Sequence, residues 1–139
     1  MDCVENCISF LVGKAAQQIS RRAREKLAPW GVTPPQYAVL KVLWDQDGQS
    51  GAAIGARLVI DSATITGVID RLEVAGLLDR RADGDDRRVH RLFLTARGHD
   101  LQEPLDAAMD QLNAEVEAAL KDQARPVWAG LRRLGEAGT

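Results

Sequence analysis

The segment from Leu77 to Leu94 constrains the fold of this chain most strongly, because its pattern is strand-like in an otherwise helical sequence. Apolar and polar residues alternate over 77–81 and again over 89–94, on either side of Asp83-Gly84-Asp85-Asp86. Alternation with a period of two, interrupted by a turn rich in glycine and aspartate, is typical of a β-hairpin. The sequence therefore predicts one small hairpin.

Helical spacing dominates the chain on both sides of this hairpin. Apolar residues recur every three or four positions from Val4 to Leu27, which predicts an amphipathic first helix. The Thr33-Pro34 pair predicts the start of a second helix that runs to the turn at Asp47-Gly48. After the hairpin, Thr95 is expected to cap a long helix in which Pro104 makes a bend or marks the first turns, and one further helix follows.

Two short helices are predicted immediately before the hairpin, at residues 52–58 and 62–75. Asp61 or Ser62 can cap the second of them by accepting hydrogen bonds from free backbone N–H groups, and Gly76 ends it. A short helix, a turn, a second helix and a hairpin together form a winged helix-turn-helix. The predicted fold is therefore mainly α with a small β-hairpin wing.

Length and composition indicate one globular unit. With 45% hydrophobic and 27% charged residues and no apolar run long enough to cross a bilayer, residues 1–139 are predicted to form a single domain. The N-terminal stretch carries acids and no basic leader, which favours a cytoplasmic location. Cys3 and Cys7 suit a disulfide poorly, and neither histidine has a ligand partner at zinc-like spacing, so neither a metal nor a cofactor is predicted.

The net charge of −2 would argue against nucleic-acid binding only if the charges were spread evenly. Residues 101–139 hold four basic and seven acidic side chains, whereas residues 80–98 hold six arginines around the hairpin turn. On composition alone such a hairpin also fits a solvated surface. Placed directly after two short helices, it favours a contact with DNA.

Five short motifs follow one another along the chain. They are Thr33-Pro34-Pro35-Gln36-Tyr37, Asp61-Ser62-Ala63-Thr64, Asp70-Arg71-Leu72-Glu73, Asp85-Asp86-Arg87 and Leu94-Thr95-Ala96-Arg97-Gly98. In this order they resemble the MarR family of bacterial transcriptional regulators. Gly67 departs from the family pattern, in which a larger and often basic residue is common; it is either a weakened helix position or a place where DNA approaches closely.

The resemblance implies a homodimer held by residues 1–30 and 99–139, with residues 33–98 forming a winged helix-turn-helix DNA-binding lobe in each subunit. Such a dimer is expected to act as a repressor that binds double-stranded DNA at a near-palindromic operator, through a recognition helix at 62–75 and a wing at 80–91. A small organic effector is expected to release the DNA, and an aromatic acid or its coenzyme A thioester is the favoured class.

Eight side chains are predicted to contact the DNA. Hydroxyl groups on the recognition helix can bind base edges or phosphates, threonine methyl groups can meet the thymine methyl, and arginines on a narrow wing suit the minor groove. The resemblance also implies that Asp85 braces Arg87 before the DNA arrives. The eight are Ser62, Thr64, Thr66, Arg71, Arg80, Arg87, Arg88 and Arg97.

Aromatic and basic residues of the first two helices are candidate walls of a ligand pocket between the dimerisation helices and the DNA-binding lobe, where the resemblance places it. Aromatic rings there could enclose an organic ligand, and an arginine could bind its carboxylate. The same aromatic residues also suit an ordinary hydrophobic core. The candidates are Phe10, Arg21, Trp30, Tyr37 and Trp44.

Two alternative functions stay open. A thiol-based redox sensor would use Cys3 or Cys7, although no basic residue lies close in sequence to Cys7 to favour its thiolate. A winged-helix module that binds a protein instead of DNA would use the same hairpin. No nucleophile with a base partner and no phosphate-binding loop is present, so no catalytic residue is predicted and the chain is not expected to be an enzyme.

Overall fold

The computed structural model describes residues 1–136. Seven helices and a three-stranded antiparallel sheet make up this part of the chain, with short 3-10 turns at Val4–Asn6, Ala28–Trp30 and Lys121–Gln123. In chain order the elements are α1 (Ile8–Leu27), α2 (Pro34–Asp45), β1 (Gln49–Ser50), α3 (Gly51–Leu58), α4 (Ser62–Val74), β2 (Leu78–Ala82), β3 (His90–Leu94), α5 (Ala96–Asp100), α6 (Gln102–Leu120) and α7 (Ala124–Glu136).

This architecture confirms the predicted mainly α fold with a hairpin wing. The hairpin pairs β2 with β3 in antiparallel register, from Leu78 opposite Leu94 to Ala82 opposite His90. Strand β1 was not predicted, because two residues are too few to show alternation. It joins the far edge of β3, so that the order in the sheet is β1-β3-β2 and the wing is anchored to the start of α3.

Side-chain caps fix the starts of α2, α3, α4 and α5. Thr33 and Gln36 form a reciprocal capping box at α2, Ser50 caps α3 and Thr95 caps α5. At α4 the cap is Asp61 rather than Ser62. Each cap accepts from a backbone N–H that the helix leaves unpaired, which is why these boundaries could be predicted from sequence.

The hydrophobic core lies where α2, α3 and α4 meet the sheet and the beginning of α6. The apolar stripe of α4 is buried in it: Ile65, Val68, Ile69 and Leu72 are at most 4% exposed. The side chains that are almost completely enclosed come from all of these elements and from the end of α1. They are Leu27, Val39, Leu40, Leu43, Ile54, Leu72, Leu78, Leu92 and Leu105.

The long helix predicted after Thr95 is in fact two helices, α5 and α6, that meet at Leu101. Pro104 lies in the first turn of α6, where its missing N–H interrupts no intrahelical hydrogen bond. Further along, α6 packs on α1, and Glu115 accepts hydrogen bonds from Arg22 at 2.7 Å and Lys26 at 2.8 Å. These cations lower the pKa of Glu115, the Lys26 hydrogen bond contributing most.

Apolar side chains at the two ends of the described chain are left uncovered. Ile8 is 65% exposed near the start of α1, and in α7, which has no buried residue, Leu131 is 56% and Leu134 57% exposed. The dimerisation segment predicted at 99–139 extends past the described part of the chain, because residues 137–139 lie outside it. Within 1–136 no single helix has the length and apolar character to cross a bilayer; α3 and α4 meet those criteria only as a pair bent by 116°.

Candidate nucleic-acid interface

Helix α4 is fixed at its N-terminus by Asp61. One carboxylate oxygen of Asp61 accepts from the Thr64 backbone N–H at 2.8 Å, and the other accepts from the Thr64 hydroxyl, also at 2.8 Å. These hydrogen bonds, the backbone one foremost, lower the pKa of Asp61. The carboxylate therefore stays ionised at the positive end of the helix dipole, which stabilises the first turn of α4.

The three hydroxyl residues predicted to contact DNA are all exposed on α4, but the hydroxyl groups of two of them already donate hydrogen bonds within the protein. The Thr64 hydroxyl donates to Asp61, and the Thr66 hydroxyl donates to the Ser62 carbonyl oxygen at 2.7 Å. Each threonine thus presents a methyl group and an acceptor oxygen rather than a donor. Among residues 1–136 nothing accepts from the Ser62 hydroxyl, which leaves that proton available to DNA.

Arg71 is exposed on α4 and forms no ion pair with any described residue. Its guanidinium lies beside Gly67, since a Cβ added at Gly67 would stand 3.9 Å from the Arg71 Nη2 atom. That separation is an ordinary van der Waals contact, so packing within the chain does not require a glycine there. Arg71 is the basic side chain that α4 itself presents.

The tip of the wing carries two arginines that point away from the protein. Arg87 is exposed and forms no ion pair within residues 1–136, and the side chain of Arg88 is 95% exposed, with its Nε atom 3.8 Å from Asp86. The other arginines between residues 80 and 98 have intramolecular partners. Arg81 lies 4.4 Å from the centre of the Phe93 ring, and Arg91 lies 3.2 Å from Asp83.

The expected brace between Asp85 and Arg87 is absent from the described structure. The Asp85 backbone N–H donates to the Asp83 side chain at 3.1 Å, and Asp83 also holds Arg91. The hydrogen bond from Asp85 and the charge of Arg91 lower the pKa of Asp83. Asp83, at the end of β2, is near enough to β3 to organise the loop, whereas Asp85 lies further out along the turn.

Arg80, one of the eight residues predicted to contact DNA, is held by two carboxylates of the protein itself. Its Nη2 atom is hydrogen-bonded to Asp70 and its Nη1 atom lies 3.0 Å from Glu73, both on α4. The hydrogen bond with Asp70 raises the pKa of Arg80 further above its ordinary value. The guanidinium thus joins the first strand of the wing to the recognition helix, a contact that sequence alone does not reveal because ten residues separate Asp70 from Arg80.

Arg97 lies at the junction of three elements of the lobe. Its Nη1 atom is 3.5 Å from the carbonyl oxygen of Ala75, at the C-terminal end of α4. The guanidinium is exposed and would satisfy one of the carbonyl groups that the helix leaves unpaired. A contact between Arg97 and DNA stays a prediction.

The five residues predicted to surround a ligand do not share one cavity. Tyr37 and Trp44 pack edge to face with ring centres 5.9 Å apart and lie against the core. Their polar atoms are used internally, because the Tyr37 hydroxyl donates to Asp106 at 2.7 Å and the Trp44 Nε1 atom donates to the Gly98 carbonyl oxygen at 3.0 Å. These two rings serve the core rather than an open pocket.

The remaining three candidates are dispersed along the first part of the chain. Trp30 lines an open groove of about 460 Å³ between the end of α1 and the start of α6, together with Lys26 and Pro104. Phe10 lies beside Lys14, and Arg21 donates to Gln18 on its own helix at 2.7 Å. Trp30 therefore borders a groove with a mainly apolar lining, which suits an organic ligand.

Comparison with known proteins gives one family. A model of the MarR family matches residues 32–90. The chain is 40% identical over 103 residues to the HTH-type transcriptional regulator TtmR of Methylorubrum extorquens, a match that covers 74% of this chain and 53% of TtmR. It is 30% identical to the organic hydroperoxide resistance transcriptional regulator of Bacillus subtilis, over 72% of this chain and 68% of that protein. The chain thus spans about half the length of TtmR.

Solved structures share the architecture as well. Bordetella bronchiseptica BpsR, whose DNA binding is described as regulated by 6-hydroxynicotinic acid, superposes with a TM-score of 0.90 at 26% identity, covering 98% of each chain. Overoxidised AbfR bound to DNA superposes with a TM-score of 0.77 at 27% identity, covering 96% of this chain and 93% of AbfR.

Proposed function

Because the chain belongs to the MarR family of transcriptional regulators, we propose that it is a homodimeric repressor that binds duplex DNA and releases it when a small effector binds. The members of this family to which it is similar are regulators of transcription and not enzymes. One observation carries the DNA-binding part of the proposal: in an acidic chain, the exposed cations without ion-pair partners include one on α4 and one at the wing tip. In the cytoplasm such a regulator would meet chromosomal DNA directly.

We propose that α4 enters the major groove and that the wing reaches the adjacent minor groove. The Ser62 hydroxyl and the Arg71 guanidinium are the donors on α4 for acceptors on base edges or phosphates, and the methyl groups of Thr64 and Thr66 suit thymine methyls. Arg87 and Arg88 extend from a narrow ribbon, which fits the minor groove where A·T-rich sequence narrows it. Two such lobes related by a two-fold axis would require a near-palindromic operator.

The uncovered apolar faces of α1 and α7 support a dimer of this chain. Burying a leucine completely is worth about 1.5–3 kcal/mol, and Leu131 and Leu134 are both more than half exposed in a helix with no buried residue. The charged side chains of α7 lie apart from these leucines, so a second copy could cover the apolar face without burying charge. Leu131→Glu is expected to shift the protein from dimer to monomer in analytical ultracentrifugation, and an unchanged dimer would contradict this placement of the interface.

The DNA-binding proposal is tested by fluorescence anisotropy with the duplex upstream of the protein's own coding region, over a series of salt concentrations. Arg87→Ala is expected to weaken specific binding by about 1–3 kcal/mol if it reads the groove, or to reduce the salt slope by about one if it contacts a phosphate. Arg24→Ala, an exposed arginine on α1, is the matched control and should leave binding unchanged. Equal affinity for random duplex at every salt concentration, together with a protein partner that survives nuclease treatment, would instead favour a protein-binding module.

For the effector we propose an aromatic acid or its coenzyme A thioester, in the groove beside Trp30. The regulation of BpsR by 6-hydroxynicotinic acid supports this class of ligand. The groove offers the Trp30 ring, the apolar surface of Pro104 and the Lys26 ammonium, which already faces Glu115 at 2.8 Å and could turn to an acid. Aromatic acids that release DNA from the wild type but not from Trp30→Ala would support this site; release from both would place it elsewhere.

A thiol-based switch is the second candidate, and the similarity to the organic hydroperoxide resistance transcriptional regulator of Bacillus subtilis favours testing it. Cys3 is exposed and Cys7 is half-buried immediately before the first residue of α1; both thiols are free. Organic hydroperoxide should release DNA from the wild type and fail to do so from a Cys3→Ser, Cys7→Ser double variant if this mechanism operates. Release by the aromatic acid from the double variant would separate the two mechanisms.

A further inference from the structure

A three-residue ionic cluster formed by Arg80, Asp70 and Glu73 connects strand β2 of the wing to α4. Asp70 and Glu73 are three residues apart on α4, so their side chains lie on the same side of the helix. Arg80, the third residue of β2, reaches both of them with separate nitrogen atoms, at 3.0 Å for Glu73 and in closer contact for Asp70. Its side chain is only 28% exposed, although both carboxylates face solvent.

This cluster spans a point at which the chain changes direction sharply. Between α4 and β2, Gly76 adopts a left-handed φ of 76°, and the Leu77 N–H donates to the carbonyl oxygen of Leu72. The core side chains on either side of the turn fix its inner edge. Arg80 fixes the outer edge, because its forked guanidinium joins the exposed carboxylates of α4 to strand β2.

Two carboxylates on a helix that faces DNA repel the phosphates, so their presence needs another role to offset this cost. Together they place two negative charges against one guanidinium, so the cluster keeps a net negative charge near the expected phosphates. A role limited to solubility would be better served by residues that do not repel DNA. A role in holding Arg80, and through it the wing, accounts for both carboxylates at once.

The geometry points to Arg80 as a positioning residue for DNA binding, with Asp70 and Glu73 as its anchors. The cluster fixes the wing relative to α4 before DNA arrives. The major-groove and minor-groove contacts can then form together, without the entropic cost of ordering the hairpin when DNA binds. This inference rests on the proposed function, since it assumes that α4 and the wing bind one duplex. It also replaces a direct phosphate contact by Arg80 with an indirect role.

The decisive experiment uses the double variant Asp70→Asn, Glu73→Gln, in which the side chains keep their shape and lose their charge. If Arg80 were a phosphate ligand, this variant would free it and remove two repulsive charges, so affinity for DNA would rise. Positioning by the cluster predicts the opposite, a loss of about fivefold or more, which corresponds to a well-formed, partly exposed ion-pair network. Affinity equal to or above that of the wild type overturns the inference.

Two further readouts separate positioning from a merely structural role. Arg80→Ala should weaken binding without changing the dependence of log affinity on log salt concentration, whereas loss of a phosphate contact would lower that slope by about one. Adding Asp70→Asn and Glu73→Gln to Arg80→Ala should cause no further loss, because the three groups act as one unit. Arg80→Lys, whose single ammonium does not reproduce the fork, should give intermediate affinity.

The control for the carboxylates is Asp79→Asn, on the same strand but exposed and without an ion-pair partner among residues 1–136. It should bind DNA as tightly as the wild type or more tightly. Thermal unfolding of every variant verifies that the lobe is folded at the assay temperature. If the wild type shows no specific DNA binding, the proposed function fails; if the wild type binds and the Asp70, Glu73 variant does not weaken, only the inference about Arg80 fails.

Discussion

Alanine in place of glycine is expected to have opposite effects at two helical positions of this protein. Gly98 lies in the first turn of α5, where an added Cβ would stand 2.2 Å from the Leu77 carbonyl oxygen and 3.2 Å from the Leu94 Cδ2 atom. The carbonyl cannot move away without cost, because it accepts from the Thr95 backbone N–H at 3.1 Å. Gly67, in the middle of α4, has only the end of Arg71 nearby, at 3.9 Å.

The magnitudes follow from these contacts. At Gly98 the overlap requires a backbone shift of the kind that costs about 1–3 kcal/mol in an overpacked core. Weakening of the hydrogen bond from Thr95 adds about 1 kcal/mol. The helix preference of alanine, about 1 kcal/mol at most, offsets only part of this loss. Gly98→Ala should therefore lower the free energy of unfolding by roughly 1–3 kcal/mol, and Gly67→Ala should raise it by up to about 1 kcal/mol.

Urea denaturation followed by circular dichroism measures both changes, at one protein concentration because a dimer's stability depends on it. The two variants serve as controls for each other, since both make the same chemical change within a helix. A Gly98→Ala protein as stable as the wild type would refute the reasoning, because it would mean that the backbone around Leu77 relaxes freely. A Gly67→Ala protein that unfolds more easily would show that the glycine there has a structural role not visible in its contacts.

Three further predictions concern other parts of the structure. Tyr37, the single tyrosine of the chain, should ionise above its ordinary pKa of 10.0, because burial first and then its hydrogen bond to Asp106 raise the pKa. A titration followed by ultraviolet absorbance should show this shift. The contribution of neutral Tyr37 to the free energy of unfolding should be complete below pH 10 and lost as the pH rises through the raised pKa. Val59→Gly should raise stability by about 1 kcal/mol in thermal unfolding, since Val59 has a left-handed φ of 55° and a 90% exposed side chain that loses no burial. Thr95→Ala should cost about 1–2 kcal/mol in urea denaturation, because the hydroxyl both caps α5 and donates to the Gly76 carbonyl oxygen at 2.7 Å; a loss close to zero would contradict this double role.

Local features of this chain could be predicted where the interacting residues lie close together in the sequence. The caps at Thr33, Asp61 and Thr95 lie within three residues of the N–H groups they satisfy, and the α4 stripe repeats at the helical period. The hairpin could be predicted for the same reason. Strand β1 could not, because its two residues form a strand only by pairing with β3, about forty positions later in the sequence.

The candidate site also has features that could be predicted from the sequence and features that could not. Helical spacing predicts the exposed face of α4, which carries Ser62, Thr64, Thr66 and Arg71. The contacts of these residues with DNA stay predictions. Which groups still have a free donor depends on contacts within the fold. The proposed Asp85 brace and the free Arg80 both illustrate the limit: a sequence shows which charges are close along the chain, but the structure pairs Asp83 with Arg91 and Arg80 with two residues of a different element.

The sequence by itself determined the type of the longer elements, the order of the winged helix-turn-helix and the concentration of arginines around the hairpin, because periodicity, capping and charge are properties of neighbouring residues. Tertiary structure alone decided which of those arginines form ion pairs within the protein and which stay exposed. Folding β2 back against α4 commits Arg80 to Asp70 and Glu73. The hairpin carries Arg87 and Arg88 to its exposed tip, where the Arg88 Nε atom lies 3.8 Å from Asp86. The physical reason is distance: an ion pair forms only between groups within a few ångströms, and a linear sequence does not specify which distant groups the fold will bring that close.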